Sequence, residues 1–189
     1  KTKLYIHEQN SVIGKTNKLF TKFSVKLFVN YNKEYKGINR YKNKISVVGL
    51  PQVIPQYNLF DDKKNSLNFN FLVFAGSQGS IDILIIFTKI IKKLKKIPNL
   101  NNIKFIVQCP LQKQKEIKKL LNQNKYDFEI RSFFESFENI LRKTDIALCR
   151  SGAGTVNDLI NFKIPAIISP LPSAKDNHQY ENAKILRDI

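Results

Sequence analysis

A chain of 189 residues with 42% hydrophobic and 11% aromatic residues can bury a real core, which excludes wholesale disorder. Its 32 basic and 15 acidic residues leave a formal charge of +17, enough to draw phosphates or an anionic membrane. Its 27 Lys stand against 5 Arg, beside 24 Ile and 20 Asn, all three abundant types having A/T-rich codons, so codon bias explains much of the charge.

In chain order, residues 4–7 read as a strand, 15–23 as a short basic helix, and 25–29 and 45–48 as two more strands. Residues 56–68 are polar and aperiodic, which reads as a linker. Residues 69–75 (FNFLVFA) form a buried strand that ends at Gly76-Ser77-Gln78-Gly79. Residues 81–97 place apolar side chains at three- and four-residue spacing with Lys opposite, a helix closed by Pro98. Strands over 103–108, 128–131, 145–149 and 166–169 then alternate with helices over 112–124, 135–143, 154–162 and 176–187. That alternation predicts an α/β fold, a parallel sheet covered on both faces. The expected domains are a remnant of a first domain over 1–55, a linker over 56–68, and a nearly complete α/β domain over 69–189. The N-terminus lacks the apolar stretch of a signal peptide, and the last residues stop inside a helical pattern. Both ends read as cuts through a longer protein.

Cys109 and Cys149 end apolar runs without a CxxC pair, and only His7 and His178 could join them. They read as buried, reduced thiols rather than metal ligands or a disulfide. Neither zinc-finger spacing nor an RNP-like aromatic pattern occurs, which with the shortage of Arg counts against nucleic acid as the main partner.

Ligands of an open parallel sheet bind beyond the carboxyl ends of its strands. Three loops sit there. Gly76-Ser77-Gln78-Gly79 is a tight turn into a helix whose free N–H groups favour phosphate. Arg150-Ser151-Gly152-Ala153-Gly154-Thr155 offers small residues for close approach to the backbone. Asp158, three after Thr155, shares its helix face and could accept hydrogen bonds from ribose hydroxyls, or simply complement the helix dipole. In the third loop, Pro170 to Gln179, Asp176 or Asn177 could cap the last helix while His178 and Gln179 project from its first turn, as sugar ligands or as ordinary surface residues.

Taken together, these segments resemble a known family. His7-Glu8-Gln9-Asn10 with Gly14 and Thr16-Asn17, Gly76-Ser77-Gln78-Gly79, Cys149-Arg150-Ser151-Gly152-Ala153 with Thr155-Val156, and Asp176 with Gln179-Tyr180 and Asn182-Ala183 are similar, in order, to four signatures of one enzyme family. These are the bacterial MurG-type N-acetylglucosaminyltransferases that convert lipid I to lipid II in peptidoglycan synthesis. The resemblance implies a GT-B fold, with a Rossmann-like parallel-sheet C-terminal domain and the tail end of the acceptor-side N-terminal domain. It implies UDP-N-acetylglucosamine (UDP-GlcNAc) as donor, an undecaprenyl-linked muramyl-peptide as acceptor, no cofactor or metal, and a peripheral place on the cytoplasmic face of the inner membrane. By matching positions, Ser77 would meet the diphosphate, the backbone at Phe134 the uracil edge with Phe133 beside it, and Asp158 the ribose hydroxyls. Asn10, Ala153, Thr155, His178 and Gln179 would surround the GlcNAc and its adjoining phosphate.

Several positions depart from the family pattern. Asp158 stands for Glu, His178 for the first Gln of a pair, Val53 for an Arg, Gly154 for a larger apolar residue and Ala75 for the first Gly of its loop. The family's glycine-rich acceptor loops and its general base would lie before residue 1. The expected chemistry is inverting transfer, with helix N-termini and backbone amides stabilising charge on the departing diphosphate. Rival readings are a donor-binding subunit of a split glycosyltransferase and another UDP-sugar enzyme of GT-B fold, such as an epimerase.

Overall fold

The computed structural model describes residues 2–51, 68–75, 80–97 and 102–188. The expected turn at 76–79, Val53, and all but the last residue of the expected linker lie outside them. The chain divides into two compact units. One comprises Lys1–Gln56, Ser151–Asn157 and Pro170–Ile189, the other Tyr57–Arg150 and Asp158–Ser169.

In the first unit, β1 (Tyr5–Glu8), β2 (Lys26–Val29) and β3 (Ile45–Val47) form a parallel sheet in chain order, with Ile6 opposite Leu27 and Leu27 opposite Ile45. Leu27 and Val29 alternate with outward residues and close a small core with Ile13, Tyr35 and Ile38. Helix α1 (Lys15–Phe20) connects β1 to β2. It stops three residues before the predicted end because the amides of Phe23 and Ser24 both turn back to the Phe20 carbonyl, at 3.0 and 3.1 Å. The Lys44 ammonium holds that turn, donating to the carbonyls of Thr21, Lys22 and Ser24 at 3.3, 2.9 and 2.6 Å. Residues Asn39–Lys44 form a 3-10 helix that the sequence pattern did not predict.

The second unit carries β4 (Phe69–Val73), α2 (Ile81–Leu94), β5 (Ile103–Gln108), α3 (Leu111–Gln123), β6 (Asp127–Arg131), α4 (Phe137–Lys143), β7 (Ile146–Cys149) and β8 (Ala166–Ile168). All five strands run parallel in the order β6-β5-β4-β7-β8. Phe71, Leu72, Val73 and Phe74 are all buried, as a central strand covered on both faces requires. On α2, Ile83, Leu84, Phe87 and Ile91 share one stripe and meet Phe71, Val73, Phe105 and Val107 of the sheet. Phe105 anchors this layer, 5.3 Å centroid to centroid from Phe87 and 5.0 Å from Tyr126, both edge-on. Replacing the fully buried Phe87 by Ala is worth about 3–5 kcal/mol on general grounds.

Strand order makes β4 the pivot: the chain steps outward to β5 and β6, then returns to β7 on the other side of β4. The β4–β7 junction is therefore the topological switch point, and the segments leaving these two strands are where such a sheet offers a crevice. Helix α5 (Ala153–Asn161), which follows β7, and α6 (His178–Arg187) complete the described elements.

Candidate functional site

In the first unit the site is built around a buried carboxylate. Glu8, at the end of β1, is 4% exposed and accepts four N–H groups. Its Oε1 takes the Asn10 amide at 3.0 Å and Asn10 Nδ2 at 3.2 Å, while Oε2 takes the Gly14 amide at 2.9 Å and Asn17 Nδ2 at 2.9 Å. Four donors satisfy the oxygens of this buried carboxyl group, as burial of a polar group requires. Asn30 supports the same turn, its amide bonding the Glu8 carbonyl and its Nδ2 the Gln9 carbonyl. His7 Nε2 donates to the Gly49 carbonyl at 3.0 Å, which turns that ring into structure.

Helix α6 brings the last motif to this turn. Its start has unusual backbone: Asp176 and Asn177 both adopt left-handed φ, +53° and +55°. Asp and Asn tolerate that region better than other non-glycine residues. Of the two capping candidates, Asn177 takes the N-cap position of α6 and Asp176 does not. Residues Lys175–Asn177 form a 3-10 turn, the α-helix begins at His178, and no side-chain cap bond is made at Asn177. The turn lets His178 Nδ1 donate to the Lys175 carbonyl at 2.7 Å.

Between the two motifs lies a cleft of about 250 Å³ lined by Asn10, Val12, Gly14, Lys15, Thr16, Asn17, Lys175, Asp176 and His178. Two lysines and one aspartate on its wall favour an anionic ligand, and the amide, hydroxyl and imidazole groups suit hydroxyls. Of the five site residues expected in this unit, Asn10 and His178 line the cleft. Ala153, Thr155 and Gln179 belong to the same unit without lining it. Gln179 Oε1 accepts the Leu171 amide at 2.9 Å, and its carbonyl accepts Ser151 Oγ at 2.7 Å. Gln179 therefore shapes the loop before α6. Thr155 stands in the first turn of α5, whose leading N–H groups have no acceptor within the helix.

The glycines here are not demanded by packing. A Cβ on Gly154 would meet nothing within 4 Å, and one on Gly152 would touch only Thr155 Oγ1 at 3.9 Å.

In the second unit the functional groups gather at the carboxyl ends of the strands. Arg150 directly follows β7 and is 7% exposed. Its Nη1 donates to the Ser169 carbonyl at 2.9 Å, and its Nη2 to Asp82 Oδ2 at 2.9 Å and Ser80 Oγ at 3.4 Å. One guanidinium thus ties the exits of β7 and β8 to the first turn of α2. Phe134, following β6, is 5% exposed and packs on Phe137, which meets Phe74 edge-on at 5.0 Å. Phe133 beside it is 65% exposed. Asp158 is half-buried on α5. Ser77 lies outside the described residues.

Cys149 has no nucleophilic part here, because burial pushes its thiol up to about 12. Among the described residues, no group of three or more His, Cys, Asp or Glu is arranged to hold a metal ion. No helix among them is long and apolar enough to cross a membrane.

Residues 70–188 match the glycosyltransferase family 28 C-terminal domain. The chain belongs to that family. Among relatives of this family 28 chain, the UDP-N-acetylglucosamine--N-acetylmuramyl-(pentapeptide) pyrophosphoryl-undecaprenol N-acetylglucosamine transferase of Rickettsia bellii is 35% identical. That match covers 98% of this chain and 53% of the relative. The protein of the same name from Rickettsia canadensis is 36% identical, with the same coverage of 98% and 53%. The chain therefore spans about half the length of the relatives it matches. Among solved structures, MurG of Acinetobacter baumannii superposes with a TM-score of 0.70 at 24% identity, over 98% of this chain and 51% of that one. That likeness establishes the fold, a Rossmann-like α/β unit with a five-stranded parallel sheet.

Three residues that carry the site's architecture, Glu8, Arg150 and Asn182, stand in motifs where the sequence alone assigns them no role. Their signal was chemical: charged or amide side chains at the end of a strand or inside a helix, at positions that proved buried.

Proposed function

We propose that this chain forms the donor-binding part of an N-acetylglucosaminyltransferase of peptidoglycan synthesis. It would use UDP-GlcNAc and serve a lipid-linked muramyl-peptide acceptor. The observation that carries this reading is the cleft of the first unit. Residues of the first and last motifs, far apart in sequence, line it together, with Lys15 and Lys175 on its wall. Its size and mixed hydroxyl-binding and cationic character suit a phosphorylated amino sugar.

Each expected site residue then has a task toward the donor. Asn10 and His178 take sugar hydroxyls or the acetamido group. Thr155 and the leading amides of α5, with Ala153 small enough to let them be approached, take phosphate oxygens. Gln179 sets the loop before α6. In the second unit, Phe134 places backbone for the uracil edge beside the exposed Phe133, and Asp158 accepts from ribose hydroxyls. Ser77 keeps its diphosphate role as read from the resemblance. During transfer the acceptor hydroxyl gives its proton to a general base as its oxygen attacks C1 of the sugar, and the C1–O bond to UDP breaks. Backbone N–H groups and lysines stabilise the charge arriving on the diphosphate.

The basic surface fits peripheral docking to the anionic cytoplasmic face of the inner membrane, each nearby Lys contributing about 1 kcal/mol. Calorimetric titration tests the donor assignment. UDP-GlcNAc should bind more tightly than UDP-glucose, and Asp158→Ala should weaken both by about tenfold or more, as loss of a charged hydrogen bond implies. A folded chain that binds no uridine nucleotide contradicts it.

A further inference from the structure

We propose that Asn182 is the positioning residue of the sugar cleft: its buried amide sets the orientation of Asn10 and ties it to the segment that opens α5. This rests on the donor reading above and adds to it a residue to which the resemblance gave no role.

Asn182 is 0% exposed, on the second turn of α6. Its Oδ1 accepts the Ser11 amide at 2.8 Å, and its Nδ2 donates to Asn10 Oδ1 at 3.1 Å and to the Ser151 carbonyl at 3.1 Å. Both amide protons and the oxygen are thus engaged. The amide has only one workable orientation, since a flip would set its oxygen against two oxygens and its NH₂ against an N–H. An apolar side chain could fill the same volume, but it would leave the Ser11 amide and the Ser151 carbonyl without this partner inside the fold.

The consequence for the cleft runs through Asn10. Its Oδ1 is held by Asn182 and its Nδ2 by Glu8 Oε1 at 3.2 Å, so the side chain is pinned at both ends. One N–H and one oxygen lone pair remain, and their directions are fixed by Asn182 and Glu8 together. Ser151, the other partner, also donates from Oγ to the Gln179 carbonyl one turn earlier on α6. Ser151 is therefore clamped to α6 at two points, by its carbonyl and its hydroxyl, just before the first turn of α5. A relay of hydrogen bonds, Glu8 to Asn10 to Asn182 to Ser151, joins three motifs separated by up to 172 positions.

The test compares UDP with UDP-GlcNAc on the 189-residue chain and on Asn182→Asp. This change keeps the shape and the acceptor for Ser11 but places an oxygen against Asn10 Oδ1 and the Ser151 carbonyl. The affinity gained from the GlcNAc moiety should fall about tenfold or more, and UDP affinity by clearly less, because the Ser151 Oγ bond to the Gln179 carbonyl still holds the opening of α5. In an Asn10→Ala background the same change should cost no further sugar affinity, because the group it acts through is gone. Equal loss of UDP and UDP-GlcNAc binding, or none, overturns the positioning role. Failure of the unmodified chain to bind UDP-GlcNAc instead sinks the donor reading. Should Asn182→Asp not fold, two measurements remain. Asn10→Ala should lose the same sugar-dependent affinity, and the Asn182 side-chain amide protons of the unmodified chain should exchange at least tenfold more slowly than those of an exposed Asn. Exchange at the exposed rate, or full sugar affinity in Asn10→Ala, overturns the proposal.

Discussion

Arg150 Nη2 lies 2.9 Å from Asp82 Oδ2, so the residue leaving β7 grips the first turn of α2. Asp82 is two-thirds exposed, and an ion pair in that setting contributes little by itself. The buried half of the clamp matters more, because Arg150 Nη1 satisfies the Ser169 carbonyl at 2.9 Å. Arg150→Met should lower the unfolding free energy by about 2 kcal/mol, and Arg150→Lys by less, since an ammonium cannot span the three partners at once. With no Trp in the chain, urea unfolding followed by circular dichroism is the measurement; the midpoint should fall at unchanged slope.

Glu8 makes a different prediction. Glu8→Gln keeps the volume but replaces one accepting oxygen by an NH₂ that must face an existing donor. About 2–3 kcal/mol of stability should be lost. Hydrogen exchange at the Asn10 and Gly14 amides should quicken more than exchange in β5, because these amides lose their acceptor directly. Uniform quickening across the chain would mean that Glu8 is not the organiser of that turn.

Burial pushes the thiol of Cys149 up to about 12 and that of Cys109 up to about 11, from an ordinary 9.0. Burial likewise pushes the phenols of Tyr31 and Tyr35 up to about 12, from 10.0. An acid whose folded value is raised favours folding below its unfolded value and loses that contribution as pH rises through the folded one. Stability should therefore decline between about pH 9 and 12. At pH 8 neither thiol should react with a thiol-directed reagent until denaturant is added, and rapid labelling of the native chain would contradict the burial.

Gly154 sits in the first turn of α5 with room for a Cβ. Gly154→Ala should raise stability by about 0.5–1 kcal/mol through the lower entropy of the unfolded chain. Thermal denaturation reads this directly, and a loss of stability would place an atom where the fold has none.

Much of the second unit was legible because its period is simple. Residues 103–108 carry the apolar stretch Phe105-Ile106-Val107 between the Asn101-Asn102 pair and Pro110, and β5 occupies the predicted span. The alternation of strand and helix carried the parallel sheet with it. Helix ends were less legible, since they depend on backbone bonds that composition does not announce. α1 stops at Phe20 because two amides return to one carbonyl, and α6 starts two residues later than predicted because Asp176 and Asn177 turn left-handed. In the site, His178 was readable as a residue type suited to hydroxyls and Asn10 only through the family resemblance, and the cleft brings the two together. Glu8 and Asn182 were not, because a carboxylate or amide reads as solvated until the fold buries it. The partners of Asn182 on the first motif, Ser11 and Asn10, lie 171 and 172 positions away, beyond any local pattern.

The account turns on where a uridine diphosphate sugar sits, and an amide-resolved NMR titration of the ¹⁵N-labelled chain with UDP-GlcNAc tests that most directly. Saturating shifts are expected at Asn10, Thr16, Thr155, Asp158 and His178, with UDP alone sparing Asn10, Thr16 and His178. Saturable binding that leaves the cleft residues unmoved, or a spectrum unchanged at millimolar donor, would contradict it.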